Sequence, residues 1–408
     1  MIYDGIVVGG GPAGMFAAIT AAERGERVLL LERNERLGKK LLITGKGRCN
    51  VTNDCTPEEV LQNIPRNSRF LFSAMSACTP QKMKDFFAGS GCPLKTERGN
   101  RVFPVSDRSV SVLEALQRRL RKSGVNVRTG RVTDLLTSEG RISGVALGAE
   151  QISAKWVILA TGGLSYPTTG STGDGYTLAQ RLGHTILPTE GSLVPLEADE
   201  DCAQMQGLSL RNVAVKLVDQ KGKVLFSDFG ELLFTHFGVS GPTVLSASAH
   251  LKGTGCKLLL DLKPALDEAK LNDRILRDLQ MYRNRSMENA LTDLLPRSMI
   301  PVVLNRLQID PGLQANSLNK QQRRNLVTLL KAFPIIISSK RPVDEAIITS
   351  GGIKVSEISP KTMESKIIKG LYFAGEVIDC DAYTGGFNLQ IAWATAFAAG
   401  MAVGKVED

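Results

Sequence analysis

Gly9, Gly11 and Gly14 directly follow the apolar run Ile6-Val7-Val8, at the spacing that binds a dinucleotide. Each glycine has a separate job. Gly9 permits the tight turn, Gly11 lets backbone N–H groups approach a pyrophosphate, and Gly14 lets the next helix lie close on the strand. That helix is predicted over residues 12–24, with Pro12 and Ala13 in its first turn. Its positive end then faces the phosphates. A second strand, residues 28–31, ends at Glu32, with Arg33 beside it. A carboxylate at this distance from the glycines takes ribose hydroxyls.

Other elements must converge on this turn. Residues 155–160 form a continuous apolar run that ends in Thr161-Gly162-Gly163. A buried strand ending in small residues lets its backbone pass close to a ligand. Near the C-terminus a further apolar strand ends at Gly375 and Glu376, and Thr384, Gly385, Gly386, Phe387 and Asn388 open a last helix over 388–403. One fingerprint does not separate a nicotinamide from a flavin. The returning C-terminal segment does, because a nicotinamide dehydrogenase has no need of it. Glu376 is then expected at the ribityl or phosphate region, and the last helix at the pyrimidine edge of an isoalloxazine, where its N-terminus stabilises negative charge. With no second Gly-x-Gly-x-x-Gly, the expectation is a single FAD.

A chain of 408 residues suggests two or three domains, and 43% hydrophobic residues suffice for real cores. The first strand begins at once and no apolar run reaches 18 residues, so a cytoplasmic protein without a membrane span is expected. The seven cysteines lack Cys-x-x-Cys spacing and fit reduced thiols, and three histidines give no readable metal cluster, so no metal is expected. Net charge is +9 and uneven: residues 61–131 hold fourteen lysines and arginines against four acids. Such a cluster is the footprint of a polyanionic partner, or else a solvated surface.

Helices are expected within 57–90 and over 109–123, with strands at 125–127, 132–136 and 142–147. Residues 37–53 read as an extended loop near the cofactor. Residues 193–262 alternate like a small β-domain, and 265–333 are helical and charged. The predicted organisation is a discontinuous cofactor domain (1–188 plus 343–408), a β-barrel-like insert (189–264 plus 334–342) and a helical insert (265–333).

Five stretches carry a family resemblance: Gly9–Gly14, Thr44-Gly45-Lys46-Gly47-Arg48-Cys49-Asn50-Val51-Thr52-Asn53, Ala160–Gly163, Phe234–Pro242 and Thr384–Gln390. Together they resemble the HI0933-like (BaiN/RdsA-type) family of bacterial FAD-dependent oxidoreductases, over essentially the whole chain. The resemblance implies an α/β fold, with a two-dinucleotide-binding-type, Rossmann-like FAD domain carrying inserted β-barrel-like and helical domains. It implies reduction of a carbon–carbon double bond. The substrate would be a uridine of 23S ribosomal RNA, gripped through segment 61–131, or a steroid-like or other conjugated small molecule. NAD(P)H would be a transient electron donor. A non-catalytic flavin-binding assembly protein fits three close backbone approaches less well.

Several side chains have two readings. Arg48, Lys46 and Lys40 are candidate anchors for a substrate or cofactor phosphate, or ion-pair partners of nearby acids. Cys49 is a candidate proton donor, or a small packed residue. Asn50 and Asn53, with Gly45 and Gly47, are candidates for the flavin edge and the substrate, or turn residues. His236 is a candidate general acid or a structural loop residue, and Tyr166 a ring-stacking group or proton donor. Cys380 lies between Asp379 and Asp381, which raise a thiol's pKa and leave it unreactive.

Overall fold

The computed structural model describes residues 3–198, 201–251, 253 and 255–405. One of its sheets is five-stranded and parallel. Strand β1 (Gly5–Val8) runs into helix α1 (Pro12–Ala22) and returns as β2 (Val28–Glu32). Strands β3 (Asn126–Thr129), β4 (Trp156–Leu159) and β5 (Leu371–Phe373) complete the order β5-β4-β1-β2-β3. All neighbours pair in parallel, with Val8 opposite both Leu31 and Leu159. Every residue of β1, β2, β4 and β5 is buried. That is why these strands read as apolar runs rather than as alternation.

The last helix, α2 (Phe387–Ala402), is apolar around most of its circumference and buried for most of its length. It packs beside α1: Phe16 meets Trp393 edge-on at 5.8 Å and stacks with Phe397 at 6.4 Å. Between β2 and β3 come short helices, a three-stranded sheet (Thr52–Asn53, Leu94–Glu97, Arg101–Pro104) and the amphipathic helix Ser109–Lys122. Strand Ile186–Ser192 pairs antiparallel with Ile348–Ile353. This pairing extends the first unit to residue 192, beyond the expected 188.

The chain divides into two compact units, residues 1–192 with 343–408, and residues 193–342. The second unit is a closed six-stranded barrel built from Leu196–Ala198, Ser209–Val218, Val224–Thr235, Gly238–Ser240, Lys257–Asp261 and Phe333–Lys340. Helices Glu268–Met281, Ile300–Arg306 and Lys320–Lys331 are inserted between its last two strands. They share one apolar core with the barrel, joining Leu271, Ile275, Leu326 and Leu330 to Leu258 and Leu260. The barrel and the helical insert therefore form one unit where sequence patterning suggested two. Residues 37–53 also differ from the expected extended loop. They form a short helix, Lys39–Ile43, a tight turn over Thr44–Gly47 and the strand Thr52–Asn53.

Candidate active site

A cleft opens at the C-terminal ends of β1, β2, β4 and β5. Its walls include Gly9, Gly11, Pro12 and Ala13 from the β1–α1 turn, and Glu32 and Arg33 from the end of β2. Lys40, Thr161, Gly162, Gly375, Glu376 and Asn388 also line it. Open parallel sheets bind ligands at this edge, outside the carboxyl ends of the strands.

The glycines divide by role. A Cβ on Gly14 would lie 1.8 Å from the carbonyl oxygen of Gly9, so Gly14 serves packing of α1 on the strand. A Cβ on Gly11 would meet no protein atom within 4 Å, so its missing side chain leaves room at the N-cap of α1. Glu32 is 9% exposed. Its Oε2 accepts the Gly10 N–H at 2.6 Å, and its Oε1 accepts the backbone and side-chain N–H groups of Asn34 at 2.8 and 2.7 Å. A carboxylate has about four acceptor positions, so three bonds leave capacity for a hydroxyl. Thr161 Oγ1 is buried in the cleft wall with no hydrogen-bond partner among the described residues. An open glycine at a helix N-terminus, a carboxylate with spare capacity and an orphaned hydroxyl fit a dinucleotide.

Lys40 and Glu376 meet as a largely buried pair, Nζ to Oε2 at 2.6 Å. Lys40 also donates to Ser165 Oγ at 2.6 Å. Glu376 Oε1 accepts the Thr349 N–H at 2.8 Å and the Ser165 hydroxyl at 3.1 Å. One ion pair thus ties together the loops after β2, β4 and β5 along the cleft. Both Lys40 and Glu376 were expected at the cofactor; their pairing with each other has no signature in the sequence.

The Thr44–Asn53 stretch goes elsewhere. Cys49 is fully buried in the core, and burial pushes its thiol up to about 12. The expectation of a proton donor is corrected: Cys49 packs as a small apolar residue. Arg48 binds Glu97 and Asp107 and lies 4.1 Å over the Phe103 ring, so it is an ion-pair partner and does not line the cleft. Gly45, Lys46 and Gly47 are exposed on the turn, and only Thr44 of this turn reaches the cleft wall. Asn50 Oδ1 accepts the Val102 N–H at 3.1 Å. Asn53 Nδ2 donates to the carbonyls of Gly99 and Gly385 at 3.1 and 3.0 Å.

These residues hold α2. Trp393 Nε1 donates to Val51 O at 2.9 Å, and the Thr52 hydroxyl to Gln390 Oε1 at 2.7 Å. A Cβ on Gly386, which sits at φ 97°, would lie 2.4 Å from Thr52 O. Gly385, Gly386, Phe387 and Thr384 therefore shape the entry to α2, while Asn388 and Leu389 present themselves to the cleft. Tyr166 is outside the cleft lining and sits in the left-handed region at φ 53°. Its carbonyl accepts the N–H and hydroxyl of Thr169. His236 is exposed in the second unit, on the turn between two barrel strands, with its ring edge-on to Phe237 at 5.0 Å.

Asn34, Thr44, Arg131, Val132, Ser171 and Asp174 also line the cleft and were not singled out beforehand. The glycine-rich stretch 170–175 was the available signal for the last two. Nothing in the sequence marks Val132. Among the described residues no group of three or more His, Cys, Asp or Glu side chains is arranged to hold a metal, and no helix is long and apolar enough to cross a membrane.

The parallel sheet, the phosphate turn and the returning C-terminal helix define a Rossmann-type FAD-dependent oxidoreductase. A solved structure of 3-ketosteroid Δ1-dehydrogenase from Sterolibacterium denitrificans shares the fold, with TM-score 0.54 and 14% identity over 98% of this chain and 99% of that one. The chain belongs to the HI0933-like family, whose Rossmann-domain model matches residues 3–402. It is 31% identical to the 3-dehydro-bile acid Δ4,6-reductase of Clostridium scindens, over 98% of both chains. It is 30% identical to the ribosomal RNA dihydrouridine synthase of Escherichia coli, over 97% of this chain and 96% of that one. The synthase of the same name from Haemophilus influenzae is also 30% identical, over 98% of both.

Proposed function

We propose that this flavoenzyme saturates a ring carbon–carbon double bond, and that its substrate is a uridine of 23S ribosomal RNA. The observation that carries the reaction class is full-length similarity to two relatives whose names both describe removal of a ring double bond. Bound FAD supplies the two-electron chemistry. The chain's own residues hold and orient it. The turn at Gly11 and the N-terminus of α1 take the phosphates, Glu32 takes a ribose, and the Lys40–Glu376 pair fixes the loops along the cleft. The first turn of α2 offers its N–H groups to the far end, and Asn388 ties that turn to Ala382.

The surface around the Thr44–Gly47 turn supports RNA. Lys46, Arg98, Arg101 and Arg108 are exposed, and Arg48 and Lys95 join them across Glu97 and Asp107. Six cations against two carboxylates suit a phosphate backbone. The rest of the basic segment is less available than its charge suggests. Lys84, Arg119, Arg128 and Arg131 are paired with Asp54, Glu23, Glu150 and Asp174. That internal pairing favours the second reading, a conjugated small-molecule acid bound at the same cleft. A stacked base is inaccessible, so an RNA substrate is taken from locally unfolded RNA in the cytoplasm.

Deleting the gene and mapping dihydrouridine in 23S RNA by mass spectrometry decides between the two. The RNA reading expects one dihydrouridine to vanish, and an unchanged nucleoside profile contradicts it. NAD(P)H is proposed as the electron donor. Anaerobic bleaching of the flavin band by NADH or NADPH tests it, and no bleaching with either contradicts it.

A further inference from the structure

Asp381 is 1% exposed and Asp379 is 5% exposed, two carboxylates in one buried loop. Buried carboxylates demand partners, and these come from a turn distant in sequence. Arg66 Nη2 donates to Asp381 Oδ1 at 3.0 Å, and the Ser192 hydroxyl donates to Oδ2 at 2.8 Å. Asn67, held in the left-handed region at φ 58°, donates Nδ2 to Asp379 O at 2.7 Å and to its Oδ2 at 2.8 Å. The Tyr383 N–H donates to Asn63 O at 3.0 Å. Residues 379–383 have no helix or strand of their own, so these bonds, with the Asp379 N–H donated to Ile353 O at 3.1 Å, set their path.

Neither Arg66 nor Asn67 lines the cleft, yet the loop they grip does. Cys380 is part of the wall, and Ala382 is locked to Asn388 by an N–H donated to Oδ1 at 2.8 Å and an Nδ2 donated to its carbonyl at 2.7 Å. We propose that Arg66 and Asn67 are positioning residues. They latch the 379–383 loop and, through Asn388, hold the Cys380 wall and the first turn of α2 in the geometry that binds FAD. This rests on the flavin assignment, and it gives Arg66, whose side chain is half-exposed, a role on buried Asp381 rather than on an RNA backbone.

The latch has a pH signature. Burial pushes the Asp381 carboxyl above its ordinary range, with Arg66, Ser192 and Ser350 opposing this and Asp379 adding to it. The other titratable neighbour, Cys380, stays a neutral thiol because burial and both acids raise its pKa. Without Arg66 the carboxyl climbs further. Its proton then stays on at higher pH, so a variant lacking Arg66 is least impaired in acid and worse as pH rises.

Amide hydrogen exchange over residues 379–386 of the FAD-free full chain, followed by FAD titration at about pH 6 and about pH 8.5, tests this. R66A is expected to speed that exchange and to raise the Kd for FAD, each about tenfold, with the larger loss at the higher pH. R66K recovers part. R66A/D381N, which removes the orphaned carboxylate, recovers most of both effects and abolishes the pH dependence. If R66A does not fold, N67A with loosened exchange and weakened FAD binding, set against near-normal R66A/D381N, carries the same test. Wild-type exchange and affinity in both R66A and N67A overturn the latch. So does faster exchange with unchanged FAD affinity, or a loss that D381N leaves in place. A wild-type chain that takes up no FAD contradicts the flavin assignment, while exchange in the FAD-free chain reads the latch by itself.

Discussion

The β1–α1 turn and the Thr44–Asn53 stretch are both dense in the residue types that bind ligands, and they do opposite things. At the first, Gly11 has no protein atom within reach of a Cβ and Glu32 keeps acceptor capacity, so the chemistry faces outward into the cleft. At the second, Cys49 is sealed in the core and Arg48 is committed to Glu97 and Asp107. Val51, Thr52 and Asn53 brace the last helix. A motif can therefore be distinctive because it braces a site, with Thr44 alone of its residues on the cleft wall.

Substitutions in the two regions should separate cleanly. The largest effect is expected from G11V, which projects a branched side chain into the phosphate turn. FAD affinity should fall at least about a hundredfold while the melting temperature barely moves, because a Cβ there has open space around it. Fluorescence titration and a thermal melt check this, and a large drop in melting temperature would undo the distinction between Gly11 and Gly14. Next comes E32Q, which removes a charged acceptor and leaves the Gly10 N–H less well satisfied. About tenfold weaker FAD binding is expected, by the same titration.

Smaller effects belong to the second region. R48A should leave FAD affinity within about threefold, since Arg48 is partly exposed and away from the cleft. Its stability cost should depend on pH in a definite sense. The Arg48 guanidinium holds Glu97 below its usual range, and Lys95 with Arg48 does the same for Asp107. Carboxyl groups depressed in the folded state add stability above their unfolded range and lose it as pH falls through the folded value. The gap between wild type and R48A in urea melts should therefore shrink in acid and in high salt. The smallest effect is expected from C49A, with turnover within about twofold of wild type and a stability loss of about 1 kcal/mol from a small cavity. A collapse of kcat with normal stability would restore Cys49 as a proton donor.

The sheet was legible because its strands are buried on both faces and its first turn is marked by glycines, Gly9 and Gly14 for close packing and Gly11 with open space around it. Gly9, Gly11, Glu32, Thr161, Gly375, Glu376 and Asn388 could be named from their places at strand and helix ends. Arg48 and Cys49 could not be sorted. A guanidinium looks the same in sequence whether its partner is a phosphate or Asp107, and a thiol looks the same in a cleft or a core. The Lys40–Glu376 pair spans most of the chain and leaves no local pattern. The barrel and its helical insert were read as two domains because texture changes at residue 265, yet their apolar faces close on one another.

Native mass spectrometry of the wild-type chain tests the central claim most directly. The account predicts the 44.1 kDa chain carrying a single non-covalent FAD. A chain that gains no mass at saturating FAD would contradict it.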